Sequence, residues 1–343
     1  MTTHDLNDMQ RYLVEEEAEK WQEGHLTRRE FMRRVTLIVG GAVAAAPVLA
    51  ALGCDPNSPA ASTPEPTGSA PTSAPTSTAL PAATAGQPTP ASTPASGSPY
   101  HVPEDDPDVR AEMVDIPSSD PSVKLTGYMA QPAVPGMSAG PLPPAGVLVI
   151  HENRGLTDHI KDVVRRLAKA HYTALCVDLV SRSGGSAAHP DEAERTGILG
   201  QMTPEQVLAD LSAGVDYLKS KQSNASPRLG VVGFCFGGGY TFRLATKRPD
   251  LKAAAAFYGP NPPLEDVSNI KAAMLCIYGS LDTRITGGAP ALEEAFKSSS
   301  VTYEIKVYEG ANHAFHNDTG ARYDPAAAKD AWEKTLAWFG KYL

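Results

Sequence analysis

The stretch that most constrains the fold is residues 230–239, with the sequence GVVGFCFGGG. An apolar run ends there in Gly-x-Cys-x-Gly, and a helix-compatible segment, residues 240–247, follows it. This layout is typical of a nucleophile elbow, in which a reactive side chain sits on a tight strand-to-helix turn and glycines let the backbone crowd together. The pattern makes Cys235 a candidate nucleophile, and the alternative is a tight turn with a small buried cysteine.

Strands and helices alternate around this turn. Runs rich in apolar residues predict strands at residues 145–150, 172–178, 228–234, 253–258, 273–278 and 303–308. Alternating apolar and polar residues predict an opening antiparallel hairpin, 112–116 with 124–131. Amphipathic spacing and capping residues predict helices after Thr157 and Thr203, and at residues 289–297 and 325–342. The alternation indicates an α/β fold with a mostly parallel central sheet and helices on both faces.

Two loops after the elbow hold candidate partners for the cysteine. Asp282 follows the predicted strand that ends at Tyr278, and His313 follows the one that ends at Tyr308. A nucleophile needs a base beside it and a third group that holds the tautomer of the base. The order nucleophile, acid, histidine is that of the α/β-hydrolases. His316 is a rival base, but it lacks the same offset from the glycine that follows the strand.

The position of Cys235 at the start of a helix should favour its thiolate, because the helix dipole and free N–H groups stabilise negative charge. An oxyanion hole is expected from the N–H of Phe236 together with one from Glu152 or Asn153, in the loop after the first long strand.

Four stretches together resemble the dienelactone hydrolase family, the carboxymethylenebutenolidase-like branch of the α/β-hydrolase superfamily. They are residues 150–155 (IHENRG), residues 233–238 (GFCFGG), the Asp282 loop and residues 313–315 (HAF). The resemblance covers roughly residues 110–343. It implies an α/β-hydrolase fold, with Cys235 as nucleophile, Asp282 as the orienting acid and His313 as general base.

The resemblance also implies roles for residues outside this triad. Glu152 matches an extra carboxylate that holds the resting thiol neutral; the alternative is a buried carboxylate paired with Arg154. Arg182 matches an arginine that grips a substrate carboxylate; the alternative is a solvated loop residue. Asn317 stands where the lactone-ring enzymes of the family carry a second arginine, which leaves a dienelactone substrate in doubt, and Arg322 is a possible replacement.

The N-terminus has the pattern of a targeting signal. Residues 27–33 (TRREFMR) resemble a twin-arginine export signal, and the uncharged apolar stretch 35–52 follows. The alternative is an uncleaved membrane anchor. Residues 51–54 (ALGC) resemble a lipoprotein processing box, so Cys54 is a lipidation candidate, or else an incidental cysteine near a cleavage site. Residues 1–26 resemble a polar leader with helical tendency, for which no chemistry is predicted.

Composition divides the chain into three parts. Residues 1–54 are the predicted signal, 55–98 a Pro/Ser/Thr/Ala-rich stretch predicted to be a disordered linker, and 99–343 the hydrolase-like domain. The net charge is −9 and the folded part has no basic patch, which argues against nucleic acid as a partner. The four cysteines have no CxxC spacing, so neither a zinc site nor a disulfide framework is indicated.

The sequence therefore predicts an exported, membrane-tethered hydrolase that cleaves a small ester or lactone with a Cys-His-Asp triad through a thioester intermediate. No metal or cofactor is expected, and the oligomeric state stays open. The alternative is a non-catalytic, envelope-tethered binding lipoprotein that keeps the hydrolase fold.

Overall fold

A single sheet organises the fold. The structure, a computed structural model, describes residues 6–52, 98–134, 145–222 and 227–343. In these ranges the strands are β1 (Val109–Ile116), β2 (Leu125–Pro132), β3 (Gly146–Ile150), β4 (Thr173–Val177), β5 (Leu229–Phe234), β6 (Ala253–Phe257), β7 (Ala273–Gly279) and β8 (Tyr303–Tyr308). Their order across the sheet is β1-β2-β4-β3-β5-β6-β7-β8.

Most of the strand pairs are parallel. β1 pairs antiparallel with β2, and β2 pairs antiparallel with β4. The pairs from β4 through β3, β5, β6 and β7 to β8 are all parallel. The predicted opening hairpin and the mostly parallel sheet of an α/β-hydrolase fold are confirmed.

Helices surround this sheet. In the described ranges they are α1 (Asp8–Gln22), α2 (Arg28–Val39), α3 (Ala42–Ala51), α4 (Asp158–Lys169), α5 (Glu192–Gln201), α6 (Pro204–Ser220), α7 (Phe236–Lys247), α8 (Thr283–Thr286), α9 (Ala289–Ser299) and α10 (Pro325–Tyr342). The same ranges contain three short 3₁₀ helices, Leu179–Ser183, Ser186–Ala188 and Leu264–Asn269. The predicted capping box at Thr203 is present, with both of its hydrogen bonds to Gln206. Helix α5 was not predicted.

The central strands form the core. Every residue of β3, β5, β6 and β7 is buried. Helices cover both faces of such strands, so neither face needs polar residues, and this explains the continuous apolar runs in the sequence. The carboxyl ends of these strands meet at one edge of the sheet, where α/β folds place their sites.

The N-terminal residues also fold onto this domain. The apolar stretch predicted as a signal forms α2 and α3, which are separated by Gly40 and Gly41 with φ of 84° and 147°. Within the described residues, no helix has both the length and the apolar character to cross a membrane. Cys54 and nearly all of the predicted linker lie outside the described residues.

Candidate active site

Cys235 stands on a strained turn between β5 and α7. Its φ of 58° and ψ of −119° lie in a region that residues with a Cβ rarely adopt. A Cβ added to Gly233 would lie 2.1 Å from the carbonyl oxygen of Gly237. One added to Gly237 would lie 2.3 Å from the carbonyl oxygen of Ile150. Both glycines of the Gly-x-Cys-x-Gly pattern are therefore required by backbone crowding, as the sequence indicated.

His313 and Asp282 form a buried pair beside the cysteine. Nδ1 of His313 lies 2.6 Å from Oδ2 of Asp282, and the two side chains are 2% and 0% exposed. Asp282 also caps α8, because its side chain accepts a hydrogen bond from the N–H of Ile285 at 3.4 Å. Nε2 of His313 is buried and has no hydrogen-bond partner among the described residues. The structure thus brings the three predicted triad residues together.

Helix α1 reaches the same sulfur from the N-terminus. The hydroxyl of Tyr12 lies 3.0 Å from Sγ of Cys235. The thiol donates a hydrogen bond to Oε2 of Glu16 at 3.3 Å. The sequence predicted no chemistry in residues 1–26, so both contacts were missed. The one available signal was the spacing of Tyr12, Glu16 and Lys20, which puts them on one face of a helix.

Glu16 is held by two further groups. Nζ of Lys20 lies 2.7 Å from its Oε1, and Nδ2 of Asn153 donates to the same oxygen at 3.1 Å. Both oxygens of this buried carboxylate are therefore engaged, one by a cation and an amide and the other by the thiol. Asn153 was predicted to lie at the oxyanion hole, and in the structure its side chain supports Glu16.

Besides burial and Glu16, the negative charge of Glu152 raises the pKa of Cys235, as the resemblance implied, although the hydrogen bond of the thiol goes to Glu16. Its Oε2 accepts a hydrogen bond of 2.8 Å from Nδ2 of Asn317, the residue at the position of the missing arginine. Arg154, the alternative partner, has its Nη1 3.4 Å from Glu192 instead. In this structure the carboxylate that takes the hydrogen bond of the thiol is Glu16.

Buried hydrogen bonds fix the loop after β3. Nδ1 of His151 donates to the carbonyl oxygen of Glu152 at 2.6 Å, and its Nε2 accepts from the N–H of Leu179 at 3.2 Å. These two contacts assign a neutral ring with its proton on Nδ1. The hydroxyl of Thr196, on α5, donates to the carbonyl oxygen of Asn153 at 2.9 Å. The loop that faces Cys235 is therefore anchored at both of its predicted site residues.

The electrostatics of the site favour a neutral thiol at rest. Burial and the negative charge of Glu16 raise the pKa of Cys235, and His313 opposes them. The sequence led us to expect that the helix position favours the thiolate, but burial and Glu16 outweigh it. Burial would raise the pKa of Glu16, yet Lys20 and His313 hold that pKa well below its usual range, so Glu16 is ionised.

His313 responds to the charge of its neighbours. Burial lowers its pKa, but the charge of Cys235 and the hydrogen bond and charge of Asp282 outweigh burial and raise that pKa to about 10. The contribution of Cys235 exists only when the sulfur is a thiolate. The site can therefore hold a thiol and a neutral imidazole at rest, and a thiolate–imidazolium pair once the proton has moved.

A cavity of about 330 Å³ opens beside these residues. This volume suits a small molecule. Residues of the hydrolase domain and of the first two helices share its wall, among them Cys235, His313, Glu152, Asn153, Asn317 and Arg322, with Glu16, Lys20 and Arg34 from α1 and α2.

Arg182 is not among the residues that line this cavity. Its Nε and Nη2 donate to the two carboxylate oxygens of Asp210 at 2.8 and 2.7 Å. Arg182, which was predicted to bind a substrate carboxylate, is therefore paired with a carboxylate of the protein itself. His316 is also absent from the lining, and its buried ring lies against Phe234 and Phe257 at centroid distances of 5.1 and 5.2 Å.

The predicted oxyanion donors lie at the expected elements. Phe236 is the first residue of α7, so its N–H is one of those that no carbonyl of the helix can accept from. Glu152 and Asn153 line the cavity beside Cys235.

Ligand atoms of Glu16, Cys235 and His313 lie within 4.8 Å of one another. In the structure the thiol donates a hydrogen bond to Glu16, so these atoms lie together as a hydrogen-bonded acid–base cluster.

A mostly parallel sheet, an elbow residue after β5, an acid after β7 and a histidine after β8 define an α/β-hydrolase. Residues 125–343 match the model of the dienelactone hydrolase family. The chain belongs to this family. It is therefore a hydrolase of carboxylic esters or lactones.

Relatives agree with this assignment. A Methylorubrum extorquens protein provisionally named carboxymethylenebutenolidase is 34% identical over 230 residues, covering 64% of this chain and 77% of the relative. A Salmonella typhimurium protein with the same provisional name is 33% identical over 246 residues, covering 68% and 88%. A crystal structure from Klebsiella pneumoniae, provisionally assigned as a dienelactone hydrolase, has a TM-score of 0.60 and 33% identity, covering 68% of this chain and 99% of its own.

Proposed function

We propose that this hydrolase cleaves a small ester or lactone with Cys235 as the nucleophile, His313 as the general base and Asp282 as the group that orients His313. The observation that carries the proposal is the arrangement of the three side chains. His313 is bound through Nδ1 to Asp282 at 2.6 Å, and a ring nitrogen of His313 lies within 4.8 Å of Sγ of Cys235. Because Nδ1 is engaged, Nε2 is the nitrogen free to accept the thiol proton.

The reaction would proceed in two halves. In the first, the thiol proton moves to Nε2 of His313, the thiolate forms a C–S bond with the substrate carbonyl carbon, and the alkoxide leaves with the proton from His313. For a lactone the alkoxide stays attached to the acyl chain. In the second half, His313 takes a proton from water, the resulting hydroxide attacks the thioester, and the thiol regains the proton as the acid leaves.

Charge on the carbonyl oxygen needs donors during both halves. The N–H of Phe236 and an N–H of Glu152 or Asn153 are the groups we assign to this task. Preorganised donors of this kind are typically worth about 3–4 kcal/mol each in the transition state.

Substitution of the nucleophile tests the assignment. Cys235→Ala should lower the rate of hydrolysis of short activated esters by at least about 10³-fold, because no thioester can form. Cys276→Ala, at another buried cysteine, is the matched control and should keep most of the activity. An unchanged rate for Cys235→Ala in a clean preparation would refute the proposal. No hydrolysis by the unsubstituted protein would favour the alternative, a binding protein that keeps the fold.

Two further measurements address the substrate class and the location of the protein. A panel of esters and lactones with and without a carboxylate identifies the substrate class, since Asn317 replaces the second arginine of the lactone-ring enzymes. Export by the twin-arginine route with lipidation of Cys54 predicts that the mature protein starts at Cys54 and carries a diacylglycerol-sized mass addition. The intact mass of protein isolated from cells tests both.

A further inference from the structure

The N-terminal segment, residues 6–52, is packed as a part of the hydrolase domain. One face of α2 is fully buried, and it carries Phe31, Val35 and Ile38. Helix α5 approaches α2 so closely that only glycine fits at two of its positions: a Cβ on Gly197 would lie 2.7 Å from Cβ of Leu37, and one on Gly200 would lie 2.8 Å from Cγ2 of Ile38.

Charged contacts hold α1 over the carboxyl edge of the sheet. Nη2 of Arg243 lies 3.1 Å from Asp8, and Nε of Arg284 lies 3.5 Å from Glu19. The guanidinium of Arg284 also stands 4.9 Å from the ring centre of Tyr12. These contacts lie on the same side of α1 as the contacts with Cys235, so they fix its register at the sulfur.

The donors and acceptors around Sγ have one consistent assignment. Burial and the negative charges of Cys235 and Glu16 raise the pKa of Tyr12, so its hydroxyl keeps its proton and can donate it to sulfur. The thiol hydrogen then points to Oε2 of Glu16. Six titratable or charged groups interact with the sulfur: Tyr12 and Glu16 on α1, Glu152 and Arg154 after β3, Tyr258 after β6, and His313 after β8.

We propose that the N-terminal segment is a working part of the active site, in which Glu16 holds Cys235 as a neutral resting thiol and Tyr12 donates to the sulfur and stabilises its thiolate. Both are positioning residues, since they act through the nucleophile. This inference rests on the proposed role of Cys235. An active enzyme of this kind retains residues 6–52, so this inference and processing at Cys54 exclude each other, and the intact mass of the active protein decides between them.

Helix α1 lines the cavity at the active site and does not fill it. With α1 in place, the cavity of about 330 Å³ still includes Cys235 and His313 in its lining. Glu16 and Lys20 line it as well, and they are paired with each other, so they present a hydrogen-bonded surface to a substrate. The space beside the helix is therefore large enough for a small molecule.

Alkylation of Cys235 tests the two roles through shifts of opposite sign. In the full chain, with EDTA present to exclude metal, the rate of iodoacetamide addition to the Cys235 peptide is followed by mass spectrometry against pH. Glu16→Gln removes the charge that opposes the thiolate and should speed alkylation about tenfold near neutral pH, with its pH profile moved to lower pH. Tyr12→Phe removes a donor to the thiolate and should slow alkylation roughly threefold, with the profile moved to higher pH.

The control is Glu15→Gln, which changes the same side chain one residue away on the exposed face of α1. It should follow the unsubstituted protein. The inference is overturned if Glu16→Gln and Tyr12→Phe both match this control, or if both profiles move the same way. A misfolded Glu16→Gln, seen by its melting curve, leaves the Tyr12→Phe shift as the deciding result.

The terminus of the mature protein provides a second, independent test. Active protein purified from cells should contain residues 6–52, as shown by its intact mass. Active protein that begins after residue 52 would overturn the inference while leaving the role of Cys235 intact. A failure of the proposed role of Cys235 would be seen in a different result, namely continued hydrolysis by Cys235→Ala.

Discussion

Replacing Asp282 by Asn isolates the contribution of its charge to catalysis. The substitution keeps the shape of the side chain and its ability to accept from the N–H of Ile285, so α8 keeps its cap. It removes the negative charge from the partner 2.6 Å from Nδ1 of His313. The pKa of His313 should fall as a result, because Asp282 is one of the groups that raise it.

The magnitude follows from the interaction that is lost. Two unit charges about 4 Å apart at an effective dielectric constant of about 20 interact by about 4 kcal/mol, which corresponds to about 10³ in rate. An amide also lets the imidazole adopt the wrong tautomer, and this raises the expected loss in kcat/KM to about 10⁴. The melting temperature should change by no more than a few degrees, because the cap is kept.

Steady-state hydrolysis of an activated ester, with melting curves for each variant, measures both effects. Asp324→Asn is the matched control, because Asp324 caps α10 through hydrogen bonds of 3.0 Å to Ala326 and Ala327. It should leave kcat/KM unchanged. A loss of less than about tenfold for Asp282→Asn, in a protein that melts normally, would show that Asp282 does not orient the base.

Two other substitutions test the elbow and the arginine that the sequence assigned to the substrate. Gly237→Ala places a Cβ 2.3 Å from a backbone carbonyl oxygen, so stability should fall by about 1–3 kcal/mol with loss of activity, whereas Gly340→Ala, with open space around it, should cost nothing. A stable, active Gly237→Ala would contradict the crowding argument. Arg182→Ala leaves the buried Asp210 unpaired and should lower stability by about 2–3 kcal/mol without changing the preference between esters with and without a carboxylate. A selective rise in KM for the carboxylated esters would restore Arg182 as a substrate-binding residue.

The sequence predicted those parts of the molecule that depend on local signals. The runs that became β3, β5, β6 and β7 are apolar because both faces are covered, and their predicted ends lie within two residues of the observed ones. The glycines around Cys235 mark the elbow because only glycine fits the crowded backbone there. Asp282 and His313 could be found because each follows directly after a strand of a parallel sheet.

Other parts depend on contacts between distant segments and could not be predicted. Helix α5 contains Gly197 and Gly200, which lower helix propensity, and its sequence makes sense only once α2 packs against them. Glu16 is 219 residues away from Cys235. A row of polar residues along one face of a helix is usually a solvated surface, so the spacing of Tyr12, Glu16 and Lys20 could not be linked to Cys235 from the sequence.

In the proposed mechanism the nucleophile rests as a buried thiol with an ionised carboxylate at 3.3 Å. Burial disfavours its thiolate, Glu16 disfavours it further, and oxidation and alkylation both follow the thiolate, so the resting site resists these side reactions. The thiolate becomes favourable only when His313 accepts the proton, because Asp282 and the new thiolate then stabilise the imidazolium together. Under this proposal Glu16 makes the reactivity of Cys235 depend on proton transfer to His313. That dependence requires helix α1 to remain in place, because Glu16 lies on it.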